Sequence, residues 1–143
     1  MLTIDANVWV GAQFPNEVNH ESSLELLARA AADEIPLHQP TLLPVEIAGA
    51  VARRKQVSTE VAGTRHILNE FPGIHFHPLD EEAAHISTSL AADLRLRGAD
   101  AVYVATAMTS QSTLITLDGE MVKRAANAVT VMTPDEWLAA REN

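Results

Sequence analysis

The chain has 143 residues, which fits one domain large enough to bury a core without covalent staples. It contains no cysteine, which excludes disulfides and thiolate metal sites, and no apolar run of the roughly eighteen residues that a membrane-spanning helix needs. Ten Lys plus Arg against nineteen Asp plus Glu give a net charge of −9, which argues against a general nucleic-acid-binding surface but suits a protein that holds divalent cations.

Strand-like and helix-like patterns alternate along the chain. LTI at 2–4 is predicted as a short buried strand that stops on Asp5, with a helical turn following from Ala6. SSLELLARAAAD (22–33) has helical spacing that puts Leu24, Leu27, Ala28 and Ala31 on one face, and Pro36 lies beyond its end. LHQPTLL is a weaker strand because Pro40 sits inside it. PVEIAGAVARRK reads as a helix with Pro44 at its first position.

Ser58 to Phe71 reads as a helix capped by Ser58 and stopped by Pro72-Gly73, and IHFHPL as a strand. Asp80 is placed to cap DEEAAHISTSLAADLRLR, with Gly98 ending it. ADAVYVATAM is apolar nearly all round and should be deeply buried. TLITL, GEMVKRAA and VTVM then give strand, helix and strand, and PDEWLAA a short helix anchored by Trp137. Strands separated by helices predict a parallel sheet covered on both faces. In such sheets ligands bind beyond the carboxyl ends of the strands, where strand order reverses.

Four carboxylates fall at those places. Asp5 ends the first strand, and Glu46 lies in the first turn of the PVEIAGAVARR helix. Asp100 opens the buried helix, and Asp118 ends TLITL. Helix capping or the helix dipole accounts for any one of them. A cap is equally served by Ser, Thr or Asn, however, and converging charges repel unless they protonate or hold a cation. Hard cations such as Mg²⁺ and Mn²⁺ take oxygen ligands and retain waters, and they can polarise a phosphoryl group. Glu46 shares a helical stripe with Gly49, Ala50 and Arg53, whose small residues leave room beside it.

Arg53, Arg54, Lys55, Arg95, Arg97, Lys123 and Arg124 flank three of these acids in sequence. They read either as an electropositive rim for a phosphodiester backbone or as cations favoured near helix C-termini.

The stretches IDANVWV, LPVEIAGAVARR, RGADAVYVATA and LITLDGEMVKRA, in that order from Asp5 to Ala125, resemble a PIN domain of the small stand-alone kind typified by VapC toxins. PLDEEAAHI is also similar to that family. The resemblance implies a single Rossmann-like α/β/α sandwich over residues 1–143, with a five-stranded parallel sheet. It implies a Mg²⁺- or Mn²⁺-dependent endoribonuclease whose catalytic acids match Asp5, Glu46, Asp100 and Asp118, with Asp5, Asp100 and Asp118 as the main metal ligands. Thr116 matches a hydroxyl position two before the last acid, Asn7 a polar position after the first, and Glu120 more loosely a further acid. Arg53, Arg97 and Lys123 are the candidate RNA contacts. An RNA substrate, a homodimer and a small VapB-like antitoxin that blocks the acidic pocket are implied as partners. No basic-then-apolar leader stands at the N-terminus, so a cytoplasmic protein without a membrane anchor is expected.

Other features read as structure. His75 and His77 alternate with Ile74 and Phe76 as a half-exposed strand face, with no third metal ligand evident nearby. Asp80, Glu81 and Glu82 form a helix start, and Asp93 is a solvated charge. Trp9, Trp137 and Tyr103 read as core or interface anchors. Two alternatives to a nuclease remain. One is a non-catalytic protein of the same fold whose acidic pocket docks a partner's Arg. The other is phosphoryl transfer through an aspartyl phosphate, disfavoured because Asn7 stands where a second Asp would be wanted.

Overall fold

Apolar runs too short for helices are strands here because they pair side by side, and the longer amphipathic runs between them cover the faces those strands expose. The computed structural model describes residues 1–55 and 67–142. In chain order the elements are β1 (Leu2–Ile4), α1 (Ala6–Gly11), α2 (His20–Ala32), β2 (Leu37–Pro40), α3 (Leu43–Lys55), β3 (Ile74–His77), α4 (Glu81–Leu94), α5 (Gly98–Ser110), β4 (Thr113–Ile115), α6 (Gly119–Ala125), β5 (Val131–Met132) and α7 (Pro134–Glu142). The helix predicted from Ser58 to Phe71, with its Ser58 cap, lies mostly outside the described residues, of which 67–70 are helical.

The five strands form one parallel sheet in the order β3-β2-β1-β4-β5. The chain runs outward from β1 to β2 and β3, then returns to β4 and β5 on the other side. Strand order therefore reverses at β1, and a crevice is expected beyond the carboxyl ends of β1 and β4. All three residues of β1 are buried, as parallel strands covered on both faces must be. α5 packs across β1, β2 and β4 and against α4, while α2 lies against α1 and α7. Ile4, Leu37, Leu114 and Ile115 form the centre of the core, joined by Val8, Leu26, Tyr103 and Trp137 from the helices. No described helix is long and apolar enough to cross a membrane.

Pro40 is tolerated in β2 for a local reason. Leu37 N and Thr41 N donate to Gly73 O and His77 O, both at 2.9 Å, so alternate amides of β2 face β3. The amides of His38 and Pro40 positions thus face β1. That pairing is confined to Leu2 with Leu37. The gap is filled by the fully buried Gln39 amide, which in its satisfied orientation donates to Ile4 O and accepts from Ile4 N, each at 2.9 Å. A side chain replaces a backbone ladder there, and the missing proline N–H costs nothing.

Two expectations are corrected. α2 buries Ser23, Leu26 and Ala30, with Leu27 partly covered, whereas Leu24 is half exposed. The face is set by the close approach of α1, where Gly11 lies against Ser23, and not by the leucines alone. The long helix before Gly98 ends earlier than predicted, at Leu94, with Arg95 left-handed (φ 54°, ψ 42°) as its cap. Gly98 instead begins α5, whose residues Ala101 to Ala107 are buried as predicted. Asp80 caps α4 as expected, accepting from Ala83 N at 2.9 Å.

Trp137 is buried and carries the Arg141 guanidinium 4.7 Å above its ring. Trp9 is buried against the edge of Phe71, ring centres 5.2 Å apart. The strand-face reading of His75 and His77 gains a neighbour that the sequence did not reveal: His38 Nδ1 lies 2.8 Å from His77 Nε2. Burial and the two other imidazoles lower the His38 pKa.

Candidate active site

Asp5 follows the last residue of β1, and its amide donates to Ile115 O at 2.9 Å, extending the β1–β4 ladder. Its backbone is extended (φ −64°, ψ 148°) at the N-cap of α1, yet its side chain makes no capping hydrogen bond. Oδ2 instead accepts from the Thr116 hydroxyl at 2.7 Å. The carboxyl is buried, so desolvation pushes its pKa up to about 7, with the Glu46 and Asp100 charges adding to the rise and the Thr116 hydroxyl opposing it. A residue in cap position that does not cap, and whose charge is disfavoured by its surroundings, has been placed for something other than helix initiation.

Thr116 is the hub beneath it. Its fully buried Oγ1 also accepts from Asp118 N at 3.0 Å and from Asn7 Nδ2 at 3.3 Å. Asn7 Oδ1 accepts from Leu117 N at 3.2 Å. These bonds tie the end of β1 and the start of α1 to the loop after β4. Asp118 stands beyond that strand, which ends at Ile115, and caps α6 with one oxygen: Oδ1 accepts from Glu120 N at 2.8 Å and Met121 N at 3.3 Å. Its other oxygen is left to face Arg97.

Arg97, not Asp100, occupies the N-cap of α5. Asp100 lies in the first turn, and its Oδ2 accepts from Arg97 Nε at 3.0 Å. The same guanidinium donates through Nη2 to Asp118 Oδ2 at 2.7 Å. Glu46 comes from the first turn of α3. Its Oε2 and the hydroxyl of Tyr103 are both buried, and the two groups face each other without a hydrogen bond of full geometry. Burial and the Glu46 charge hold the Tyr103 phenol well above its ordinary pKa, so it stays protonated.

Asp5, Glu46, Asp100 and Asp118 line one cavity of about 600 Å³, together with Asn7 and the Gly49, Ala50 and Arg53 stripe of α3. Arg54 and Arg97 also line it, but Glu120 and Lys123 are not among its lining residues. Glu120 is engaged along its own helix, 2.9 Å from Arg124 and 3.8 Å from Lys123. Arg124 also donates to Arg95 O.

Sequence reasoning missed Glu17 and Asn19. Glu17 and Asn19 enter the cavity wall from the segment before α2, and Glu17 holds Arg54 at 2.8 Å. Nothing local marks them. Tyr103, read as a core or interface anchor, is fully buried in the core, with its hydroxyl toward Glu46.

No three described side chains form a ready-made metal cluster. The donor set nevertheless fits a hard divalent cation. Glu46 has a buried oxygen with only the Tyr103 hydroxyl beside it, Asp5 is disfavoured as an uncompensated anion, and the Oδ2 atoms of Asp100 and Asp118 already share one positive group. All the acid oxygens are hard ligands of the kind Mg²⁺ and Mn²⁺ take.

A family model described as PIN domain matches residues 2–127. No curated protein matches the sequence significantly. Solved structures share the fold at low identity. FitAcB from Neisseria gonorrhoeae is 20% identical with a TM-score of 0.71, covering 94% of this chain and 98% of that one. Mycobacterium tuberculosis VapC20, described as a sarcin-ricin loop cleaving toxin, is 14% identical with a TM-score of 0.74, covering 90% and 97%. VapBC2 from Rickettsia felis, bound to a DNA fragment from its promoter, is 15% identical with a TM-score of 0.68, covering 92% and 97%.

Proposed function

The chain belongs to the PIN domain family, and from that premise and the acids of the cavity we propose that it is a Mg²⁺- or Mn²⁺-dependent endoribonuclease, the toxin of a toxin–antitoxin pair. The observation that carries this reading is the convergence of Asp5, Glu46, Asp100 and Asp118 on one cavity in which Asp5 is pushed up to about 7. Such a set is unstable as bare anions and stable around a cation.

Asp5, Asp100 and Asp118 would hold the ion, and Glu46 would complete the site or orient the attacking water. A bound divalent ion polarises the phosphoryl group and lowers the pKa of its water toward neutrality. The chain's own residues supply the rest. The Thr116 hydroxyl fixes Asp5 Oδ2, and the α6 amides fix Asp118 Oδ1, so both carboxylates are preorganised. Arg53 and Arg54 on the cavity wall place positive charge where a phosphodiester backbone would enter. No aromatic side chain is among the described lining residues, so contact with RNA would rest on phosphates and sugars more than on base stacking.

The toxin assignment, a VapB-like antitoxin covering the cavity, a homodimer and action in the cytoplasm belong to the same proposal. Neighbours of this fold described as a sarcin-ricin loop cleaving toxin and as a toxin–antitoxin complex support the antitoxin. One observation favours the docking alternative: a guanidinium already sits on Asp100 and Asp118, so the pocket accepts an arginine. Labelled total RNA incubated with purified protein separates the two. Cleavage with Mn²⁺ that disappears with EDTA and with Asp5→Asn is expected of the nuclease. Intact RNA in every lane, with an antitoxin arginine still required for complex formation, is expected of the docking protein.

A further inference from the structure

Arg97 is the cation that holds the cavity acids. Among the described residues its ion pairs are with Asp100 and Asp118, through Nε at 3.0 Å and Nη2 at 2.7 Å. Two other basic residues near the site have partners elsewhere. Arg54 is held by Glu17 and lies over the Phe14 ring, and Arg124 is paired with Glu120. The two sides of the Arg97 contact are unequal. The carboxylates of Asp100 and Asp118 are 16% and 21% exposed, while the Arg97 side chain is 76% exposed. Asp118 is locked by two amides on its other oxygen. Arg97 contributes only its backbone to the N-cap of α5, without a side-chain capping bond, so its side chain can leave without disturbing the helix.

The oxygens it occupies are the ones a metal would need. Both contacts are to Oδ2 atoms, and Asp118 Oδ1 is already committed to the α6 cap. A guanidinium and a divalent ion compete for these oxygens, because two cations held on the same atoms repel at short range. One positive charge also leaves Asp5 and Glu46 uncompensated, so the arginine is a partial substitute that a divalent ion outbids.

Resting on the metal-nuclease reading above, we propose that Arg97 is a tethered counter-cation with two stations: it bridges Asp100 and Asp118 while no ion is bound, and on metal entry it swings out to clamp the RNA phosphate. The planar donor fork of arginine suits both stations, since carboxylate and phosphate oxygens present matching pairs of acceptors. The residue thereby couples metal loading to substrate binding. The acids stay ordered before the metal arrives, and the phosphate clamp is delivered only after it has arrived.

The test is calorimetric titration of Mn²⁺ into wild type and Arg97→Ala at low ionic strength, with circular dichroism confirming that both are folded. Loss of a competitor should tighten Mn²⁺ binding by about two- to thirtyfold, the range that two exposed ion pairs convert to. With Ca²⁺ in the buffer, Arg97→Ala should retain a short labelled RNA less well than wild type. Mn²⁺ affinity that is equal or weaker in Arg97→Ala overturns the two-station proposal and leaves the metal reading intact. No Mn²⁺ binding in either protein overturns both. Binding by Arg97→Ala alone supports the proposal in its strongest form, with Arg97 as a complete plug.

Discussion

Asp5→Asn should stabilise the metal-free protein at pH 8, and by only about a third as much at pH 5. Burial raises the Asp5 pKa from 3.8 to about 7 in the folded chain. The folded state therefore binds a proton that the unfolded chain has released between those values. Stability from this group is present below about pH 4 and is lost as pH rises through about 7. At about 1.4 kcal/mol per pH unit, the rise caps the loss at roughly 4 kcal/mol. Asn has the shape of the protonated acid, and its Oδ1 can still accept from Thr116, so the variant escapes the penalty. Relaxation and water entry reduce the gain to about 1–3 kcal/mol at pH 8. The assay is urea unfolding in EDTA from pH 5 to 8, followed by the fluorescence of the buried Trp9 and Trp137. The difference between the two proteins isolates Asp5 from the other titrating groups. A difference that is flat across the range, or a variant that loses stability as pH rises, would refute the reasoning. Mg²⁺ should reverse the order at pH 8, because a ligand of the native state stabilises the protein that binds it.

Thr116→Val keeps the shape of the hub but removes the donor to Asp5 and the acceptor for Asp118 N, both buried or nearly so. A loss of about 2–4 kcal/mol in chemical denaturation at pH 8 is expected, smaller at pH 5. Gln39→Leu should cost about 2–5 kcal/mol by the same measurement, since it orphans both backbone groups of Ile4 inside the core. Leu26→Ala should cost about 2–5 kcal/mol and Leu24→Ala under about 0.5 kcal/mol, because the first empties a fully buried site and the second a half-exposed one. Equal effects of the two leucine changes would contradict the packing of α2.

What the sequence disclosed is what local spacing controls. Alternating strand and helix patterns led to the parallel sheet, and the Glu46, Gly49, Ala50 and Arg53 stripe does face the cavity. Asp5 stood out only in company, because capping accounts for it alone and the convergence of four acids does not reduce to capping. What stayed hidden depends on contacts distant in sequence. Arg97 reaches Asp118 across 21 positions, and His38 meets His77 across 39. The Gln39 amide substitutes for a ladder between strands that only the folded sheet brings together. The buried face of α2 was misread because leucine content was followed where the near approach of Gly11 to Ser23 decides the packing. Asp118 shows why capping and binding cannot be told apart from residue type: one of its oxygens caps α6 while the other meets a cation.

The central claim is that the cavity acids hold a divalent ion. A crystal grown with Mn²⁺ and measured at the manganese absorption edge tests it most directly. The account predicts an anomalous peak among Asp5, Asp100 and Asp118, with the Arg97 side chain displaced from them. An Mn²⁺-containing crystal with no peak there, and with Arg97 still bridging Asp100 and Asp118, would contradict it.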